Sequence, residues 1–428
     1  MSSRGQVRPA AVARPPHPTA RTAKGASGAI AAQGLNAASS LVIQVVAARA
    51  LGIEGFARFT LIYSVLIALT ALYSGWVGDS LTVLDRSHPR VRSGIASSIC
   101  AWWIAALAIG LACGVIAGGP MILTFEIAAL LIVWLAEETG RRICTARQRY
   151  WVLTGNDLVY NTVALSAVAV VSRIDGKVTL ETLLLCMIAG SGVAVLASVI
   201  ILPSAETRFP RPDSAGFREV AAFGGWRSAN VGIRPLGLLL ARLMVASTYG
   251  AASLSSIQVA WLLLAPGMVL VNGAGTFLLP FLRERQVSGG RLGIAALRRP
   301  IILLAAGACT CGIVSIALSP SLLSLLAVAS GPRFQVGRWV VLGWAVYVLA
   351  LSVALPVATA LVAVQLPRLV LKAQFAETLV ALALVGTSCA FAPYWLVPYA
   401  LALGVAAGAG VMYGLSSRLL KSAKYNEI

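Results

Sequence analysis

The feature that most constrains this chain is a succession of apolar runs, each about 20 residues long, separated by short polar stretches. A helix of about 20 residues crosses a hydrocarbon core of roughly 30 Å. In that medium the backbone must satisfy its own hydrogen bonds, which selects helices. Twelve such runs are expected, at 27–50, 59–84, 93–117, 120–141, 155–173, 179–203, 220–246, 252–282, 298–319, 338–362, 368–390 and 396–417. The fourth carries three glutamates, and the tenth is expected to be interrupted at Pro356. Charged residues make up 11% of the chain, less than half the load of about 25% in a soluble domain. A soluble enzyme, a secreted disulfide scaffold and a nucleic-acid-binding module are therefore excluded.

The net charge of +19 is explained by where the cations fall. Let the side bearing the N-terminal tail be the near side. Of the 34 Lys and Arg residues, 25 lie in near-side tails and loops, six in far-side loops, and three within the seventh span. That asymmetry matches the positive-inside rule with both termini cytoplasmic. It calls for no nucleic-acid partner. Residues 1–25 are basic and Pro/Ser-rich and are expected to be a disordered cytoplasmic tail. A six-helix bundle over 26–205 is followed by a cytoplasmic linker at 206–218, a second bundle over 219–417 and a tail at 418–428. The loops leave no room for a nucleotide-driven domain, and no GxxxxGK[ST] phosphate loop occurs. The seven Cys show no metal-type spacing and read as reduced, packed thiols. The two His residues, His17 and His88, lie in the tail and a loop, so no metal or cofactor is expected.

A shift of 198 residues lays 51–86 over 249–284. Gly52 then meets Gly250, Gly75 meets Gly273, Leu66 meets Leu264 and Leu81 meets Leu279. The same shift superposes spans 1 and 2 on spans 7 and 8. This predicts two six-helix bundles in the same orientation, related by a pseudo-two-fold axis along the membrane normal. Parallel repeats of that kind characterise transporters, with the substrate between the halves.

Several segments carry a resemblance: ALGIEGFARF (50–59), SGWVGDSLTVLDR (74–86), EETGRRICTARQRY (137–150), FGGWRSANVGIRPLG (223–237) and LAPGMVLVNGAGTFLLPFL (264–282). The chain resembles the polysaccharide-exporter, Wzx-like branch of the multidrug/oligosaccharidyl-lipid/polysaccharide (MOP) flippase superfamily, whose cousins are the lipid II flippases and MATE exporters. Two departures stand out. Ala57 stands where such sequences often have Gly, and the two additional helices usual in lipid II flippases are lacking. The resemblance implies a flippase of the bacterial inner membrane that moves a polyprenyl-pyrophosphate-linked oligosaccharide for cell-surface polysaccharide synthesis. Its implied partners are the lipid bilayer, a polysaccharide polymerase and glycosyltransferases. Since no bond is made or broken, it would not be an enzyme.

Arg227, Arg234 and Arg242 lie within the seventh span. A mid-membrane arginine costs at least about 2.5–3.5 kcal/mol and normally faces a partner or a watery cavity. At about 100° per residue all three point into one sector. They form a ladder suited to pyrophosphate, because the guanidinium fork makes paired hydrogen bonds and stays charged. Interfacial or snorkelling positions for Arg227 and Arg242, and a structural ion pair for Arg234, are the competing readings. Pro235 is expected to kink the span. Asn36 takes the place of Arg234 under the 198-residue shift. With Gln33, Gln44 and Asn272 it is a candidate cavity lining for sugar hydroxyls, helix–helix hydrogen bonding being the other reading. Asp79 and Glu126 are candidates for a gate or for ion coupling, and Glu137 and Glu138 are expected to pair with Arg141 and Arg142. Glu377 is a further intramembrane acid, whereas span 1 has none. The glycine stripes at Gly110, Gly114 and Gly118, and at Gly404 and Gly408, point to close helix packing.

Competing readings are an H⁺- or Na⁺-coupled, MATE-like exporter of small molecules, which would depend on Asp79 and Glu126, and a membrane glycosyltransferase. The latter fits poorly with a first outer loop whose one acid is Glu54. A major-facilitator carrier lacks support around Asp85, Arg86 and Ser87.

Overall fold

The computed structural model describes residues 20–204, 210–273, 278, 282, 294–326, 336–363 and 366–419. Most of the basic N-terminal tail, the end of span 8, the loop cations Arg283, Arg285, Arg291 and Arg333, and the tail beyond 419 lie outside the described residues.

Every regular element among the described residues is helical. In chain order they are α1 (Ala20–Tyr73), a π-helical turn (Ser74–Gly78), α2 (Asp79–Val83), α3 (Pro89–Ile116), α4 (Met121–Ala146), α5 (Tyr150–Ile174) and α6 (Leu180–Ile201). The second half has α7 (Ser214–Leu263), α8 (Ile294–Leu326), α9 (Arg338–Ala363), α10 (Pro367–Phe391), a short 3₁₀ turn (Tyr394–Leu396) and α11 (Val397–Leu419). Among these, nine helices are long and apolar enough to cross a membrane. The 26-residue α4 falls outside that group, and it carries Glu126, Glu137, Glu138, Arg141 and Arg142.

α1 and α7 differ from expectation. They have 54 and 50 residues, which at about 1.5 Å per residue is more than twice a bilayer core. Loops were expected near 50–59 and 247–251, but the helix label runs through both. The break is confined to one glycine in each helix: Gly52 has φ 68° and ψ −173°, and Gly250 has φ 79° and ψ −178°. A backbone of that kind is essentially restricted to glycine. At Gly52 the chain folds back on itself, since the Ser40 and Tyr63 hydroxyls, 23 residues apart, lie 2.8 Å from each other. The two glycines are the pair that the 198-residue shift superposes, and they share one unusual conformation.

Pro356 does not interrupt α9, and α7 continues through Pro235; a proline costs such a helix one hydrogen bond, which neighbouring helices can offset. α1 starts inside the segment expected to be disordered, and α7 starts inside the expected linker. The glycine stripes do bring helices together. A Cβ on Gly110 would lie 2.4 Å from the Ala128 Cα, one on Gly114 2.5 Å from the Thr124 Cα, and one on Gly404 2.5 Å from the Ala381 Cβ. Gly118 instead has a positive φ and ends α3. The cysteines are all free, Cys144 and Cys186 being buried and Cys100 and Cys309 exposed. Ile116, Ile200 and Phe391 stand exposed on the outer surface, as lipid-facing side chains do.

The side chains pack into two main cores. One is built mainly from α1 to α6, the other mainly from α7, from Ala241 onward, through α11. α1 and α7 meet between them. The second limb of α1 and the following turn run antiparallel to the first limb of α7. Asp79 pairs with Arg227 at 2.7 Å, the Ser228 hydroxyl donates to the Leu72 carbonyl, and Arg242 donates to the Ser64 hydroxyl at 2.8 Å. Across from this seam, the first limb of α1 meets the second limb of α7 at the glycine end. There Gln258 donates to Gln44 at 2.8 Å and Ser255 to the Ile53 carbonyl at 2.6 Å.

Candidate functional site: a neutral polar cavity between α1 and α7

Below the Gln44–Gln258 contact the two helices separate and enclose a cavity of about 200 Å³. Gln33, Asn36, Ser40 and Gln44 enter it from α1, at spacings of three and four that place them on one helix face. Trp261, Met268 and Asn272 enter from the α7 side, with apolar neighbours between them. All four amides singled out in the sequence therefore line one cavity. No lining residue carries a formal charge. Trp261, which sequence reasoning passed over, is held in place from behind. Its ring lies 4.5 Å from Trp344 and 5.9 Å from Tyr347, both edge-on, and the Trp344 indole donates to the Ile257 carbonyl.

The three arginines of α7 are placed differently. Each has a protein partner, and none lines this cavity. Arg227 is held by Asp79 across the seam. Arg234 turns into the second bundle, where Nη2 and Nε lie 2.8 and 3.2 Å from the same Glu377 oxygen, Oε1. Gly408 makes room for that carboxylate, since a Cβ there would be 2.7 Å from the Glu377 Cβ. Arg242 has only a neutral partner, the Ser64 hydroxyl, among the described residues. The shared sector inferred from the helical spacing is therefore compatible with three different neighbours, because long side chains diverge. Arg234 and Glu377 border a small pocket of about 20 Å³ among α7, α9, α10 and α11.

Asp79 stands on the seam. Glu126 sits apart, near the far ends of α4 and α6, with Glu181 as its charged neighbour, and it lines neither cavity. A second large cavity, about 150 Å³, lies inside the first bundle. Glu138 bridges Arg141 and Arg142 there at 3.1 and 2.6 Å, as expected from the spacing. Glu137 joins neither arginine within ion-pair distance. Arg141 reaches across instead to Asp157 on α5. Asp157 was missed in the sequence because Gly155-Asn156-Asp157 reads as a span terminus; in the fold it is 1% exposed. Its signal was an acid one helical turn before Asn161 at the start of an apolar run. Among the described residues no three His, Cys, Asp or Glu side chains are grouped to hold a metal.

No protein-family model and no curated protein sequence matches the chain. Solved structures do. An inward-facing MATE multidrug-resistance transporter of the MOP superfamily aligns over 92% of this chain and 96% of its own, with a TM-score of 0.71 and 13% identity. The lipid II flippase MurJ, in an inward closed conformation, aligns over 92% and 87%, with a TM-score of 0.73 and 11% identity. An outward-facing MATE structure reaches 0.60 at 12% identity, over 93% and 94%. The chain has the helical membrane fold of the MOP-superfamily transporters.

Proposed function

We propose that this protein is a flippase that carries a polyprenyl-pyrophosphate-linked oligosaccharide across the bacterial inner membrane by alternating access. The chain would cross the membrane twelve times, with α1 and α7 contributing two crossings each, in two six-helix bundles with both termini cytoplasmic. The observation that carries this reading is the chemistry of the cavity between α1 and α7. Its polar lining is four amides, a hydroxyl and an indole, set among apolar side chains, with no charge. Amides and hydroxyls both donate to and accept from sugar hydroxyls, and an indole face packs against the C–H face of a sugar ring. A cationic drug would call for a carboxylate in the cavity, and none lines it.

In this reading the glycan occupies the cavity, the polyprenyl tail stays in lipid, and the pyrophosphate meets the arginines of α7. Arg242 is the readiest of them, having no carboxylate to displace. Arg227 and Arg234 become available as the seam and the Glu377 pair open. Breaking the Gln44–Gln258 and Ser255–Ile53 contacts opens the far end. A polymerase and glycosyltransferases would act on either side of the flipping step.

A second reading, an H⁺- or Na⁺-coupled exporter of small molecules, is favoured by a likeness to MATE structures as good as that to the flippase. Transbilayer movement of a fluorescent polyprenyl-pyrophosphate sugar in proteoliposomes separates the two. The wild type flips it, Trp261→Ala and Asn36→Ala slow it, and Arg242→Ala reduces it. A folded wild type that flips no such lipid but exports a cationic dye down an imposed ion gradient overturns the flippase reading.

A further inference from the structure

The cavity inside the first bundle has no part in the reading above, and its charges do not balance. Three carboxylates, Glu137, Glu138 and Asp157, share it with two arginines, Arg141 and Arg142. Glu138 engages both arginines and Asp157 engages Arg141, so both cations are taken. Glu137 is left over. It is 3% exposed, and its Oε2 has no hydrogen-bond partner. Asp157 Oδ2 and the Tyr160 hydroxyl, both buried, are also unpartnered. An ionised carboxylate buried without an ion pair of its own costs several kcal/mol, which a bound proton relieves. Every charged group beside Glu137 is accounted for: Glu138, Arg141 and Arg142 from α4, and Asp157 from α5. The neutral titratable groups are Tyr63 from α1 and Tyr160 from α5; α6 offers only the Ser191 hydroxyl.

This cavity adjoins the neutral one. Asn36 and Ser40 line both, so one turn of α1 is the wall between them. Ser40 in turn shares a hydrogen bond with Tyr63. On the other side, the Ser74 hydroxyl donates to Glu138 at 2.9 Å and accepts from Arg142 at 2.7 Å. Ser74 opens the π-helical turn, and the next residue, Gly75, is so tight against α7 that a Cβ there would lie 2.6 Å from the Arg227 carbonyl oxygen. The buried acids thus share a cavity with the Asn36–Ser40 wall, and Glu138 reaches the seam through Ser74. π-Helical turns often occur at functional sites.

We propose that Glu137 is a proton-carrying site, loaded and unloaded through the first-bundle cavity and linked to the neutral cavity by the Asn36–Ser40 wall. It differs from Asp79, which is occupied by Arg227, and from Glu126, which lines neither cavity. Loading adds a proton to a Glu137 oxygen; unloading returns it to water in the cavity, and no other bond changes. Its use in transport rests on the reading under Proposed function, whereas the site itself does not.

Infrared difference spectroscopy of the purified full chain, stepped from about pH 5 to about pH 9, reads the site without any substrate. A protonated-carboxyl C=O stretch, shifted in D₂O, is expected in the wild type and is lost in Glu137→Gln. Glutamine is close in shape to the neutral acid, so the variant is expected to fold. Asp157→Asn keeps the band and moves its titration midpoint. A Glu137→Gln spectrum identical to wild type at every pH overturns the site, as does a band that responds to Na⁺ and not to pH. In proteoliposomes, an inward or outward pH gradient changes the flipping rate of the fluorescent polyprenyl-pyrophosphate sugar in wild type and leaves Glu137→Gln unaffected. Equal wild-type rates with and without the gradient overturn the coupling. A wild type that flips nothing defeats the flippase reading, while the infrared band still decides Glu137.

Discussion

In the proposed function, the Arg234–Glu377 pair sets how readily Arg234 can be given to a substrate, and the strength of the pair can be measured. Removing one member of a buried ion pair typically costs about 3–5 kcal/mol, because the other charge is left stranded. Two features lower that figure here. Both guanidinium nitrogens use Oε1, and Oε2 is unpartnered. The Arg234 side chain also keeps 28% of its exposure, against 3% for Glu377. A coupling of about 2–3 kcal/mol follows, a factor of roughly 30–150 in a folding equilibrium. The test is a double-mutant cycle with Arg234→Met, Glu377→Leu and the double variant, followed by reversible SDS unfolding in mixed micelles. Each single variant is expected to be less stable than the double one. Effects that add to within about 0.5 kcal/mol would refute the reasoning, because independent sites behave that way. Arg234 would then be free to serve a substrate without first leaving a partner.

Other outcomes follow from the same geometry. Gly52→Ala and Gly250→Ala place a Cβ where the backbone excludes one. Nothing lies within 4 Å of either position, so the cost is conformational strain of about 1–3 kcal/mol each, seen as reduced unfolding stability. Asp79→Asn barely changes stability, since both partners of its pair are substantially exposed and such pairs contribute about 0–1 kcal/mol. It does raise thiol-reagent labelling of a cysteine placed at Ser228. Gly75→Val forces the seam apart, because its side chain meets the Arg227 and Ser228 backbone; it is expected to abolish flipping while leaving the second core packed. In the 2–3 loop, the Ser87 hydroxyl and amide both donate to Asp85 and hold its carboxyl below the usual range. Protection of the Ser87 amide from hydrogen exchange should be complete above the ordinary carboxylate range near pH 4 and be lost as pH falls through the lowered value.

The apolar runs were legible because a bilayer imposes a length and an absence of charge, both of which are local properties. The polar stripe on span 1 was legible for a similar reason, since Gln33, Asn36 and Gln44 recur at helical spacing and so share a face. What could not be read was which neighbour a long side chain reaches. Arg227, Arg234 and Arg242 share a sector of one helix, yet they end on Asp79, Glu377 and Ser64. Those partners are fixed by packing among helices far apart in the chain. Asp157 was lost to a boundary: at the edge of a span an acid reads as solvated, and only the approach of Arg141 makes it internal. Trp261 was hidden among apolar neighbours, and its role depends on the Trp344 and Tyr347 rings behind it. The glycine turns were seen as matched positions in a repeat, but a loop was expected because a single residue reversing a helix leaves no polar stretch to signal it.

Those loop-free turns bear on how the chain is made. A pair of spans joined by one glycine has no tether long enough for the first to settle in lipid while the second waits outside. In the proposed twelve-span topology, the two limbs of α1 would enter the bilayer together, as would those of α7, each as a preformed hairpin. The apex of α1 would then carry Arg49, Glu54 and Arg58 across with it, a small charge load for a translocation step. Lengthening the turn would relax that requirement, and it would also release the fixed angle at which each bundle begins.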